Sequence, residues 1–283
     1  MKINSRDCQL PRHIFVNLPP DELARRISRI DIIGLDVDNC LISGHGQIHL
    51  GMKLLPNIML EAFRKFPAGF FLNLCAGTCG LLSFKLKKLM RTDTFNTFIM
   101  KCFALTLKGV EKDAFDEAVD GFNKFLRPGA ERAILHFSQM APVILLSLGV
   151  EPVVRWLVNR LGSFGSDSRI KIYANKVRFE KRESREVFAG YEAGPELKNG
   201  KDKVNLLIRE SEAVGAKIPM VVGHDENDLD MITWARDCGG MSVGFVPESA
   251  YRDLFDVVVI RPDWDMLIKF LNSLMSKNTE KFS

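Results

Sequence analysis

The spacing of apolar and polar residues changes character twice along the chain. After an irregular, proline-interrupted start over residues 1–19, Pro20, Asp21 and Glu22 open a helix running to about Ile27. The acids in its first turn favour the helix dipole. Ile32, Ile33, Gly34 and Leu35 then read as a buried strand, which ends abruptly in Asp36, Val37, Asp38 and Asn39. From about residue 45 to 127 the spacing becomes helical: 52–66 is amphipathic, 68–84 carries no charge, and 95–107 and 113–125 continue the pattern. Arg127, Pro128 and Gly129 punctuate a return to short apolar runs separated by helical periods. Strands are predicted over 142–146, 170–174, 218–222, 241–245 and 257–260. Helices are predicted over 130–140, 151–161, 201–213, 228–236 and 264–275, and segments 177–182 and 185–191 are expected to pair as a hairpin. Strands alternating with helices imply a doubly wound parallel α/β sheet, here formed by residues 1–44 and 128–283, with residues 45–127 as an inserted α-helical domain.

Composition narrows this only a little. With 283 residues, 46% of them apolar and 26% charged, the chain can bury a sizeable core. The net charge of +4 is not gathered into a basic block, so nucleic acid is not an expected partner. The uncharged stretch 68–84 is shorter than a spanning helix and contains Asn73 and Thr78, so no membrane span is expected; it reads as a buried helix pair of the inserted domain. Six cysteines (Cys8, Cys40, Cys75, Cys79, Cys102 and Cys238) form no CxxC pattern, and the segment from Met1 to Arg12 is too polar for a signal peptide. Reduced thiols and a cytoplasmic location are the expectation.

The chemistry gathers where strands end. Asp36 and Asp38 follow the first core strand, Ser147 follows the second, and His224, Asp225, Glu226, Asn227 and Asp228 follow a later one. Lys201 opens a helix behind Gly200. Paired carboxylates repel unless a cation neutralises them, and a hard cation such as Mg²⁺ does so through oxygen ligands. Carboxylates, a hydroxyl and a lysine are the groups that phosphoryl transfer requires: a nucleophile, an acid/base and positive charge on the phosphoryl oxygens.

In that order the residues resemble the haloacid dehalogenase (HAD) superfamily of phosphatases, in the branch that includes phosphoserine phosphatase. The family's D-x-D-x-T-L motif is matched by D-V-D-N-C-L from Asp36, its strand ending in Ser or Thr by V-I-L-L-S at Ser147, and its lysine motif by G-K-D-K-V-N-L-L with Lys201. Lys203 is the second choice for the lysine. The family's G-D-x-x-N-D-L is matched by G-H-D-E-N-D-L. The resemblance runs from about residue 30 to 262 and implies a HAD-like Rossmannoid core with a helical cap at 45–127. It also implies a metal-dependent phosphomonoester hydrolase working on a small phosphorylated metabolite through an aspartyl-phosphate. In that scheme Asp36 is the nucleophile, Asp38 the general acid/base, and Ser147, Lys201 and Asn39 bind the phosphate. Mg²⁺ is held by Asp36, Asp38, Asp228 and Asp225 or His224.

Two positions depart from the pattern. Cys40 stands where the family has threonine, and His224 stands where it has an aspartate ligand of Mg²⁺. Histidine suits Mn²⁺, Zn²⁺ or Fe²⁺ better than Mg²⁺. Either Asp225 takes over the ligand role, which is the preferred reading because the other motif residues remain, or a softer metal binds through His224. A third alternative is a non-catalytic, regulatory HAD-fold binding protein with a degenerate metal site. His45 and His49, just after the first motif, and Asn175, beside a strand end, are further polar residues near the expected site.

Overall fold

The computed structural model describes residues 12–64, 92–162, 169–193 and 196–281. The uncharged stretch 68–84 and Cys8, Cys75 and Cys79 lie outside these residues. Among the described residues the elements run β1 (Ile14–Val16), α1 (Pro20–Ile27), β2 (Ile32–Asp36), α2 (Gly46–Lys53), α3 (Leu55–Arg64), α4 (Thr92–Leu107) and α5 (Lys112–Asp120). They continue as α6 (Ala130–Met140), β3 (Val143–Val150), α7 (Glu151–Asn159), β4 (Ile170–Asn175), β5 (Val177–Arg182) and β6 (Arg185–Tyr191). The chain closes with α8 (Gly200–Val214), β7 (Pro219–Gly223), α9 (Leu229–Asp237), β8 (Met241–Phe245), β9 (Val257–Val259) and α10 (Trp264–Lys281).

The apolar runs pair into a seven-stranded sheet of order β1-β9-β8-β7-β2-β3-β4. All its pairings are parallel except that of β1 with β9, where Ile14 faces Val259. Every residue of β2, β7 and β8 is buried, which is why those strands are continuous apolar runs without alternation. Strand β1 falls inside the start predicted to be irregular; three residues between polar neighbours carry too little pattern to be recognised.

Helices cover both faces. Val204 and Leu207 of α8 and Met231 and Ile232 of α9 pack with Ile32, Ile144 and Val221 on one side. Leu23 and Ile27 of α1, Phe137 of α6, Leu157 of α7 and Trp264 and Leu271 of α10 pack on the other. From β2 the chain goes to β3 on one side, while β7 lies on the other. The carboxyl end of β2 is therefore the point at which strand order reverses, where open α/β sheets leave a crevice.

Between β2 and α6 lie helices α2 to α5 and a 3₁₀ turn over Gly121–Phe125. The β5–β6 hairpin packs on this helical layer. The Phe115 ring lies 5.4 Å from Phe179 and 5.8 Å from Phe188. The amide of Gly109 donates to Phe188 O at 2.9 Å, and that of Phe188 to Val110 O at 2.8 Å.

Candidate active site

Strand β2 delivers Asp36 to the crevice, and the chain then turns sharply. Asn39 adopts a left-handed conformation (φ 55°), its side-chain oxygen accepts from the Gly44 amide at 2.9 Å, and its own amide donates to Gly44 O at 3.0 Å. Two long-range donors tie the turn down: Arg127 Nε to Asn39 O at 2.9 Å, and Trp264 Nε1 to Cys40 O at 3.1 Å. The turn points Asp38 toward β3, where its carboxylate accepts from the Gly46 amide at 2.6 Å and from Ser147 Oγ at 2.9 Å.

Strand β7 delivers the second arm. Past Gly223 the chain makes a capped 3₁₀ turn over Glu226–Asp228, in which Asp225 accepts from the Asn227 amide at 2.9 Å. The turn brings Asp228 back so closely that a Cβ on Gly223 would lie 2.4 Å from that of Asp228, so only glycine fits. A Cβ on Gly200 would likewise meet the Asn227 carbonyl oxygen at 2.6 Å. Those two glycines let α8 begin directly against the turn.

Helix α8 then inserts a lysine between the arms. Lys203 Nζ donates to Asp36 Oδ1 at 2.6 Å and to Asp228 Oδ1 at 2.8 Å, and all three side chains are at most 2% exposed. Motif form favours Lys201 for this role. The structure puts Lys201 on the exposed face of α8 and Lys203 at the carboxylates. The signal lies in the helix period: Lys203 shares its face with the buried Leu207, Glu210 and Ser211, whereas Lys201 shares its face with the exposed Asn205 and Arg209.

His224 completes the cluster. Its Nδ1 lies 3.1 Å from Asp36 Oδ2, 3.4 Å from Asp228 Oδ2 and 3.9 Å from Cys40 Sγ. Its Nε2 lies 3.1 Å from Asn39 Nδ2 and 3.7 Å from Asp225 Oδ2. Burial, reinforced by Asp228, raises the carboxyl pKa of Asp36, while Lys203 and His224 pull it down. Burial opposes ionisation of Asp228 too, yet Lys203 and His224 hold it well below the usual carboxylate range. Both cations rise above their ordinary values against the cost of burial, Lys203 because of Asp228 and Asp36, and His224 through its hydrogen bonds to the same two acids. Burial pushes the Cys40 thiol up to about 12.

Asp36, Asp38, Ser147, His224 and Asp228 thus converge as their strand-end positions suggest, and Cys40 joins them. Asn39 is engaged in forming the turn, with its side-chain nitrogen facing His224. His49 Nε2 lies 2.6 Å from Ser43 O and its ring stacks on Phe125 at 3.7 Å, so it packs the base of α2. Asn175 is fully buried; its side chain bonds Leu148 O and both backbone groups of Leu197, bracing the loop that leads to α8.

Above the cluster lies a cleft of about 280 Å³, floored by Asp38, Gly149 and Asp225 and roofed by α2 and α4 through His45, Gln47, Phe95 and Asn96. Asn96 Nδ2 reaches across it to Asn227 Oδ1 at 2.8 Å. Two groups offer cation ligands within 4.8 Å of one another: Asp36, Cys40 and His224, and His224, Asp225 and Asp228. The acids could hold a divalent metal. Both groups nevertheless share an imidazole, and the first adds sulfur, a donor set matched to Zn²⁺, Co²⁺ or Fe²⁺ and poorly matched to Mg²⁺. Asp225, the preferred replacement ligand, faces His224 and Asn227, and it is the His224 ring that meets Asp36. No helix among the described residues is long and apolar enough to cross a membrane.

No protein-family model matches the chain, and no curated protein sequence does. Solved structures do match it. An apo phosphoserine phosphatase is 17% identical, with a TM-score of 0.56 over 85% of this chain and 98% of that one. Cytosolic 5'-nucleotidase IIIB bound to cytidine is 15% identical, with a TM-score of 0.60 over 95% and 96%. A probable phosphoserine phosphatase from Vibrio cholerae is 14% identical, with a TM-score of 0.64 over 91% of this chain and 68% of that one.

Proposed function

The fold is that of the HAD-superfamily phosphatases, and we propose that the chain shares their chemistry as a phosphomonoester hydrolase. The observation that carries the reading is Lys203 bridging Asp36 and Asp228 beneath a cleft that Asp38 lines. A lysine buried between two acids at a strand-order reversal serves no packing purpose that an apolar side chain would not serve better. It does hold a nucleophilic carboxylate in one orientation and supplies positive charge where phosphoryl oxygens would lie.

In this reading Asp36 attacks phosphorus, forming a P–O bond as the ester P–O bond breaks. Asp38 gives its proton to the leaving alkoxide oxygen, and then takes one from the water that cleaves the aspartyl-phosphate. Ser147 now donates to Asp38, and its hydroxyl would turn to a phosphoryl oxygen when substrate arrives. A divalent cation would be held by Asp36 with His224 and Asp228, and would supply further charge against the phosphoryl oxygens. Helices α2 to α5 act as the cap: α2 and α4 roof the cleft, exclude bulk water and contact the alcohol part of a small phosphate ester.

The test is hydrolysis of an aryl phosphate and a panel of phosphate esters with Mg²⁺, Mn²⁺, Zn²⁺ or chelator, beside Asp36→Asn and Lys203→Met. Metal-dependent turnover lost in both variants is expected. Absence of turnover with every metal, joined to no thermal stabilisation by beryllofluoride, sinks the reading and leaves a binding protein.

A further inference from the structure

The two residues that depart from the phosphatase motifs, Cys40 and His224, are 184 positions apart in sequence, yet they meet: Sγ of one lies 3.9 Å from Nδ1 of the other. Asp36 is the third member, with Oδ2 3.1 Å from the same Nδ1. Parallel pairing sets their two strand ends side by side, and together the two departures put sulfur and nitrogen donors at the carboxylate the proposed reaction turns on. We propose that Asp36, Cys40 and His224 form an oxygen, sulfur and nitrogen cation site that selects Zn²⁺ or a similar thiophilic divalent ion over Mg²⁺.

The geometry is close to what such an ion needs. Ligands about 2.0–2.3 Å from a tetrahedral metal lie about 3.3–3.6 Å from one another. The separations of 3.1 and 3.9 Å around His224 Nδ1 bracket that range, and all three residues are buried. Asp228 Oδ2, 3.4 Å from Nδ1, stands where a fourth ligand would. With the ion at Nδ1 the ring proton moves to Nε2, so the Asn39 side-chain amide nitrogen, 3.1 Å from Nε2, turns away and the proton faces Asp225 Oδ2, 3.7 Å off. The thiol proton of Cys40 leaves to solvent as the ion binds. Mg²⁺ prefers six oxygen ligands in a strict octahedron and gains little from sulfur and nitrogen.

This deepens the phosphatase reading, and its readouts are independent of turnover. Chelator-treated full-length protein is titrated calorimetrically with Zn²⁺, Co²⁺ and Mg²⁺, and the Co²⁺ complex is examined for thiolate-to-metal charge-transfer absorption. Expected are Zn²⁺ and Co²⁺ affinities on the order of 100-fold or more above Mg²⁺, and a charge-transfer band that Cys40→Ser removes. His224→Ala weakens Zn²⁺ binding, and the double variant Cys40→Thr, His224→Asp shifts the preference to Mg²⁺. The inference is overturned if wild-type protein binds Mg²⁺ as tightly as Zn²⁺, if its Co²⁺ complex lacks the band, or if Cys40→Ser keeps it. The wild-type measurements need no variant to fold. Protein that passes them but hydrolyses no ester retains the site and loses only the phosphatase reading; Mg²⁺-driven turnover without Zn²⁺ or Co²⁺ binding does the reverse.

Discussion

The carboxyl end of the sheet and the helical layer above it are held together by opposite means. At the sheet end burial acts on charge: Asp36, Lys203 and Asp228 are almost wholly inaccessible, and His224 nearly so, each held by the others. In the layer burial acts on aromatic rings, with Phe115, Phe179 and Phe188 packed edge and face and the hairpin clipped on by two backbone hydrogen bonds. Loss of a partner at the sheet end strands a buried charge, whereas loss of a ring in the layer opens a cavity. The charged cluster therefore behaves as one unit. The layer touches the groups beneath it through Gly46 to Asp38 and Asn96 to Asn227, and away from these its rings pack with one another and with the hairpin.

The sharpest way to break this comparison is Lys203→Met beside Lys201→Met. The first leaves Asp36 and Asp228 buried with only His224 to offset their charge and should cost about 3–5 kcal/mol in urea unfolding, with loss of any turnover. The second removes an exposed charge and should stay within about 0.5 kcal/mol. If the two behave alike, α8 does not present the face described. Phe188→Ala tests the layer, with an expected loss of about 3 kcal/mol from the cavity; cation binding by the folded protein should not change, and a large change would join the two regions.

Smaller effects refine the boundary. Asn175→Ala removes three buried hydrogen bonds that position the loop before α8, and should lower stability by about 2 kcal/mol. Asn96→Ala cuts the link from α4 to Asn227 and Lys198 O, worth about 1 kcal/mol. Its mark should be a several-fold change in KM at constant kcat, and a change confined to kcat would move Asn96 from the roof into the chemistry. The mildest probe is Cys40 itself. Burial pushes its thiol up to about 12, so without a bound cation it should stay protonated and resist alkylation from pH 7 to 9, as peptide mapping by mass spectrometry would report. Rapid labelling there would show a thiol far less buried than this.

Much of the fold is legible in the order of residues. The unbroken apolar runs of β2, β7 and β8 announce strands buried on both faces, and the acids at their ends mark the crevice. The hairpin β5–β6 has the predicted bounds, but its strands alternate too weakly to say which helices it joins, and its packing on the inserted layer is visible only in three dimensions. For the lysine, motif form and helix periodicity disagree: motif form favours Lys201, and it is Lys203 that meets Asp36 and Asp228. Read by period alone, α8 turns Lys203 inward.

The chain by itself determined the order of the core strands and helices from α1 onward, the doubly wound sheet and the strand ends where charge collects, because periodicity and turn residues act over a few neighbours; β1 and the break between α2 and α3 left no such pattern. It also showed that Cys40 and His224 were odd, each in its own motif. That they are one feature only the tertiary structure decided. Two residues 184 positions apart leave no local signature of contact; they meet because parallel pairing sets β2 beside β7 and both strands end at the same edge.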